Sequence, residues 1–205
     1  MPNLVLTYFD GPGRAEPIRV ALRISGLAFE DRRLKFPEFA EARARGDFPL
    51  GSVPVLTVDG VDVVQTTAML RYVARVGDRS LYPEDPWAAT MVDSVLECLN
   101  DSLSNAMLPS LFERDMAKKL AMRAELLTGP MARVYGYIEG VLSRSGGPFV
   151  AGGAMSVADL VLAAGVEQIR RGSLDGITVA DLAKYPRILA AADAVAADPR
   201  LRTSA

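Results

Sequence analysis

The 205 residues, 50% hydrophobic and 23% charged, are enough to bury a substantial core in one large or two small domains, which excludes a disordered chain. A net charge of −2, with Lys and Arg scattered along the chain, leaves no basic stripe, so neither nucleic acid nor a membrane is an expected partner. One cysteine (Cys98) excludes an intrachain disulfide and zero histidines exclude Ser-His triads and His metal sites; with no apolar run near the ~18 residues of a membrane span, a cytoplasmic protein without metal is expected.

Residues 3–9 read as a strand with Tyr8 at its end, and Asp10-Gly-Pro-Gly13 breaks it into a turn. From Arg14 to Ser25, Ile18, Ala21 and Leu22 recur at helical spacing, Pro17 is tolerable in the first turn and Gly26 is a stop. Residues 28–35 are a weaker strand, and residues 36–45 make one or two irregular helical turns before Gly46-Asp-Phe-Pro-Leu-Gly51. Asp59-Gly60 then joins two valine-rich strands in a hairpin that leads through Gln65-Thr66 into a third helix. Pro54 stands at the start of the hairpin. A cis bond there would display the Val53 backbone as a free edge for an extended peptide, and the helix start at Gln65-Thr66 offers unpaired N–H groups to a carboxylate. The order βαβαββα over residues 1–78 is an α/β, thioredoxin-like domain, its first two strands parallel and the hairpin antiparallel beside them.

Residues 79–85 carry little periodicity and read as a linker. From 86 to 205 helical spacing dominates, so the C-terminal domain is all-α. Trp87, Met91, Val95, Leu99 and Leu103 recur every four residues on a long helix; Pro109, Gly129-Pro130 and Ser145-Gly-Gly-Pro148 interrupt two long helices. Ser156-Val-Ala-Asp159 before an apolar run is a capping-box start for a buried helix. Gly11-Pro-Gly13 lacks the spacing of a phosphate loop and is a turn, and Cys98, without a second cysteine, is expected to pack.

The stretch from Leu6 to Arg19, with its Tyr8 and Gly13-Arg-Ala-Glu16, closely resembles the N-terminus of sigma-class cytosolic glutathione transferases, the class of the glutathione-dependent prostaglandin D synthases. The hairpin with Pro54 and Gln65-Thr66 resembles that family's glutathione site, with its cis-proline and Gln-Ser pair; Thr66 stands in for the serine. The resemblance implies that glutathione is the co-substrate and a small apolar electrophile the second partner. It implies that Tyr8 donates a hydrogen bond to the glutathione thiolate and that Arg14 favours the anion. A phenol, with an ordinary pKa near ~10, is protonated at neutral pH and able to do so. Lowering the thiol's pKa by about two corresponds to roughly 2.7 kcal/mol, within reach of a charge-assisted bond in a partly dehydrated cleft.

For the tripeptide, the resemblance implies that Gln65 and Thr66 take the γ-glutamyl carboxylate, while the Val53 main chain, shaped by Pro54, takes the cysteinyl group. At the glycine end, where the class has Trp and Lys, this chain has Phe39 with Arg43 or Arg45, and Ser52 precedes Val53. Asn100-Asp101 resembles the family's acidic pair, which implies that Asp101 reaches the α-amino group in the neighbouring subunit of a homodimer. Met107, Leu111 and Phe112 read first as core residues and second as lining of the apolar cleft. The same thiolate would serve conjugation, isomerisation of the prostaglandin D synthase type, or peroxide reduction, and a crystallin-like or ligand-carrying relative without turnover is the non-enzyme alternative.

Overall fold

Alternation along Leu4–Phe9, strand β1, divides the first unit of the chain into two layers, because successive side chains of a strand point to opposite faces. In the computed structural model, which describes residues 1–201, the chain forms two compact units: Met1–Tyr82 with the segment from Pro199, and Pro83–Asp198. After β1 come α1 (Glu16–Ile24), β2 (Glu30–Leu34), α2 (Phe36–Arg45), β3 (Val55–Val58), β4 (Val61–Val63) and α3 (Thr66–Val76). The sheet order is β2-β1-β3-β4; β2 runs parallel to β1, with Leu34 opposite Phe9, and β3 and β4 are antiparallel to their neighbours. This is the thioredoxin-like arrangement expected.

Leu4, Leu6 and Leu56 are buried with Ile18 and Leu22 of α1 and Met69, Leu70 and Val73 of α3. Thr7 and Phe9 point to the other face, where Phe36 and Phe39 of α2 lie against the Phe9 ring at 4.7 and 5.0 Å between centroids. The last described turn, Pro199–Leu201, packs on α1. Helix α2 is longer and more regular than its sequence suggests. Only Ala42 of it is buried, so its apolar pattern is weak; its ends hold it instead. The Glu38 carboxylate accepts the Lys35 N–H at 2.7 Å, Pro37 sits in the first turn, and Gly46 closes the helix at φ +82°, a conformation that glycine adopts without penalty.

The second unit is helical: α4 (Pro86–Glu97), a π-helical segment (Cys98–Ser104), α5 (Asn105–Phe112), α6 (Met116–Thr128), α7 (Pro130–Arg144), α8 (Val157–Arg170) and α9 (Pro186–Ala196). The every-fourth-residue stripe behaves differently along its length. Trp87 is 72% exposed, whereas Val95, Leu99 and Leu103 are buried. On an ordinary α-helix such a series drifts by about 40° per step, so it cannot stay on one face. The wider π turn removes most of that drift across Leu99 and Leu103.

Side chains cap the helix starts of this unit, some at its surface and one in its interior. Asp85 and Asp115 cap α4 and α6, accepting the N–H groups of Ala88 at 2.7 Å and Lys118 at 3.1 Å. The capping box at Ser156 is present and buried: Asp159, 1% exposed, accepts the Ser156 N–H at 2.8 Å, the Ser156 hydroxyl at 2.6 Å and the Val150 N–H at 2.9 Å. Burial pushes the Asp159 carboxyl above its ordinary range despite these donors. From α7, Glu139 caps α9 through the N–H groups of Arg187 and Ile188 at 2.9 and 3.1 Å.

Candidate functional site

At the end of β1 the chain leaves the sheet and turns through residues 10–15 into α1, and the hydroxyl of Tyr8, the second-last residue of β1, lies against this turn. Tyr8 is half-buried, and its Oη accepts a hydrogen bond from the Arg14 backbone N–H at 3.2 Å. That donor occupies a lone pair and leaves the phenolic proton free to point outward, so the hydroxyl is preset as a donor towards an incoming anion. Gly13, at φ +41°, makes the approach possible: a Cβ there would lie 2.5 Å from the Tyr8 oxygen. Any side chain at residue 13 therefore displaces the hydroxyl as well as straining the backbone. Arg14 itself is exposed; what it brings to Tyr8 is its backbone N–H.

Reasoning from sequence missed the residue beneath this turn. Arg19 of α1 is 0% exposed, its Nε donates to Asp31 of β2 at 3.0 and 3.2 Å, and its Nη1 and Nη2 donate to the Gly11 and Phe9 carbonyls at 2.6 and 3.4 Å. Its guanidinium lies 5.9 Å from the centre of the Tyr8 ring. The signal available was an arginine on the apolar face of α1, at i+1 from Ile18 and i−3 from Leu22, three residues after the Gly13-Arg-Ala-Glu16 motif.

The Val53–Pro54 peptide bond is cis, as expected. Strand pairing of β3 with β1 begins at Val55, opposite Thr7, so Val53 lies before the ladder. Gln65 has φ +72°, and α3 begins at Thr66. No side chain caps this helix start and no acidic residue sits in its first turn, which keeps its N–H groups and positive end available to an anion.

Towards the other end of the expected peptide, Phe39 is held between Phe9 and Phe48, and the Arg43 side chain runs beside Gly51, just before the exposed Ser52. Arg45 points elsewhere, paired with Asp47 at 2.7 Å. Of the two arginines left open at this end, Arg43 is the one beside the Ser52 loop. A separate groove of about 470 Å³ lies on the α2 face of the sheet, between Thr7, Arg32 and Thr57 on one side and Glu38, Glu41 and Arg45 on the other; Tyr8, Val53 and Gln65 do not line it.

In the second unit Asp101 lies on the π-helical segment, exposed, accepting the Asn105 side-chain N–H at 3.1 Å. Cys98, at the start of that segment, is half-buried, and burial pushes its thiol up, which makes it a poor nucleophile. Leu111 and Phe112, read first as core residues, are exposed, Phe112 at 76%, while Met107 is half-buried. Pro109 and the end of α5 at Phe112 place them at a helix terminus, where packing partners on one side are lost. Among the described residues no group of His, Cys, Asp and Glu is placed to hold a metal ion, and no helix is long and apolar enough to cross a membrane.

Comparison with known proteins bears on both units. Residues 4–75 match the glutathione S-transferase N-terminal domain and residues 101–203 the glutathione S-transferase C-terminal domain. The mouse protein glutathione S-transferase A3 is 33% identical over 159 residues, covering 77% of this chain and 70% of that one. Among solved structures, prostaglandin synthase D of Nilaparvata lugens superposes with a TM-score of 0.84 at 27% identity, over 98% of this chain and 96% of that one. Monomeric Na-GST-3, a glutathione S-transferase of the hookworm Necator americanus, gives a TM-score of 0.82 at 28% identity, over 98% and 94%. With both of its domain models matched and a relative of this closeness, the chain belongs to the glutathione S-transferase family.

Proposed function

We propose that this chain is a sigma-like glutathione transferase in which Tyr8 stabilises the glutathione thiolate for attack on small apolar electrophiles. The observation that carries this reading is the Tyr8 hydroxyl accepting the Arg14 N–H at 3.2 Å, which leaves it a donor at the start of the turn. Residues 1–78 form the glutathione-binding part and residues 86–205 contribute to the apolar substrate site. Glutathione lies along the Val53 and Pro54 backbone, with its γ-glutamyl carboxylate at the α3 start of Gln65 and Thr66 and its glycine end towards Ser52, Phe39 and Arg43. Arg14 adds positive charge beside the thiolate. The thiolate then attacks the electrophilic carbon, the leaving group departs with the bonding pair, and the thiol's proton has already passed to solvent.

Asp101 serves as the anion for the tripeptide's ammonium in the neighbouring subunit of a homodimer. Two features support it: an exposed carboxylate, and its place on a π-helical segment, a distortion found frequently at functional sites. The protein acts in the cytoplasm without a metal. Isomerisation of the prostaglandin D synthase type is the second reading, favoured by the likeness to the Nilaparvata lugens enzyme. The test is turnover of glutathione with a simple aryl halide. Conjugation well above the uncatalysed rate is expected; binding of apolar dye with no conjugation would establish a non-enzymatic carrier instead.

A further inference from the structure

We propose that Arg19 is the positioning residue for Tyr8, an assignment that rests on the transferase reading above. The turn between β1 and α1 has few ways to hold its shape. Gly11 N–H closes onto the Phe9 carbonyl at 2.9 Å, Asp10 N–H onto Leu34 at 3.3 Å and Glu16 N–H onto Pro12 at 3.0 Å, but Gly11 and Gly13, on either side of Pro12, keep the backbone freedom of glycine. Arg19 removes that freedom from below. One planar guanidinium binds the carbonyls of both Phe9 and Gly11, so the residue after Tyr8 and the residue two before Gly13 are fixed to a common rigid group.

The charges around it hold that group in place. Asp31 of β2 takes Nε, Glu16 of α1 lies 3.4 Å from Nη1, and Asp31 is shared with Arg33, whose Nη1 reaches Asp10 in the turn at 2.9 Å. The turn is thus gripped at Phe9 and Gly11 through Arg19, and at Asp10 through Arg33, with Asp31 as the common counter-ion. A buried cation is a poor choice for packing alone, since an aliphatic side chain fills the same volume without desolvating a charge. What Arg19 supplies, and an aliphatic residue does not, is hydrogen bonding to the segment that carries Tyr8 and the Gly13-Arg14 peptide. With the grip lost, the hydroxyl and the Arg14 N–H are no longer held at hydrogen-bonding distance, and the thiolate loses a well-placed donor.

The test compares wild type with Arg19→Met and Arg19→Lys, at a temperature where each is folded by circular dichroism. Two quantities are read: kcat and KM for glutathione in aryl halide conjugation, and the pH dependence of the bound thiolate's ultraviolet absorbance, which needs no electrophile. Arg19→Met is expected to lower kcat by about 10- to 100-fold, the scale of a misplaced catalytic group, with KM for glutathione changed by less than about 3-fold. Thiolate formation should move towards the pH of a free thiol, near ~8.5. Arg19→Lys, which keeps the charge but not the planar fork, should lose several-fold in kcat. Glu139→Ala in the second unit is the control for stability: it removes the α9 cap and should lower the melting temperature while leaving kcat and the thiolate profile unchanged.

A folded Arg19→Met with wild-type kcat and thiolate profile overturns the proposal. If Arg19→Met does not fold, Arg19→Lys decides it, and wild-type turnover there overturns it equally. Absence of thiolate formation in wild type overturns the transferase reading, and this assignment with it.

Discussion

Among the described residues each unit buries one arginine almost completely, and the two are treated differently. Arg19, in the first, is paired with the carboxylates of Asp31 and Glu16 and donates as well to the carbonyls on either side of Asp10. Arg123, in the second, donates to the Ser110 hydroxyl at 2.5 Å and the Asp175 carbonyl at 3.4 Å, and burial pushes its pKa down, opposed by the Asp175 charge. The contrast shows what each polar interior is for. In the first unit the hydrogen bonds converge on the turn against which the Tyr8 hydroxyl lies; in the second they close helix ends and join α5 and α6 to the loop before α9. Substitutions in the first should therefore change rate more than stability, and those in the second the reverse.

The largest effect expected is that of Tyr8→Phe, which should cut conjugation by about 10- to 1000-fold, the range for loss of a transition-state donor, with little change in glutathione affinity or melting temperature. Steady-state kinetics at neutral pH checks it; an unchanged rate would remove the mechanism. Asp159→Ala should do the opposite. It strands two buried N–H groups and a hydroxyl at the start of α8, and should cost about 2 to 4 kcal/mol in urea unfolding while the folded fraction keeps its kcat.

Asp101→Ala crosses the comparison, a second-unit change expected to act on binding: glutathione affinity should fall by roughly 1.5 to 3 kcal/mol with stability intact. Mixing Tyr8→Phe with Asp101→Ala and allowing subunit exchange should restore about half the wild-type activity per heterodimer if the acid acts in the neighbouring subunit. Mixed samples that stay at the parents' level would place the acid in its own subunit's site or the protein among monomers such as the hookworm relative. Arg123→Met should cost no more than about 1.5 kcal/mol, because removing a desolvated cation offsets the hydrogen bonds lost. A larger cost would mean that Arg123 is held as firmly as Arg19.

The smallest effect is at Asp181, which repeats the Asp159 motif near the surface by accepting the Thr178 N–H and hydroxyl, both at 2.8 Å. These donors hold its carboxyl below the ordinary range, so its contribution to stability is present above the unfolded value near ~3.9 and is lost as pH falls through the lower folded value. Asp159, pushed up by burial, runs the other way: the folded state's preference for its protonated form contributes most below ~3.9, and that part is lost as pH rises through the raised value. Asp181→Ala should cost about 0.5 to 1 kcal/mol near neutral pH, limited by solvent screening. Its deficit should shrink on acidification while that of Asp159→Ala grows, which urea midpoints across acidic to neutral pH would resolve.

The sequence alone determined what depends on neighbours along the chain. Strand alternation, the Asp59-Gly60 turn, the interruption at Gly129-Pro130 and the Ser156–Asp159 cap are all local, and all are present. The places of Tyr8, Pro54 and Gln65-Thr66 in the fold were legible because each sits at a boundary between elements, where residue type has conformational meaning. Only the tertiary structure decided the rest. Arg19 is paired with Asp31 twelve residues away, across the parallel crossover from α1 to β2, and no spacing rule joins them. The length of α2 depended on its caps rather than its pattern, and the stripe from Trp87 to Leu103 stayed on one face only where the helix widened. A buried charge is recognised by what surrounds it, and those surroundings are assembled by folding.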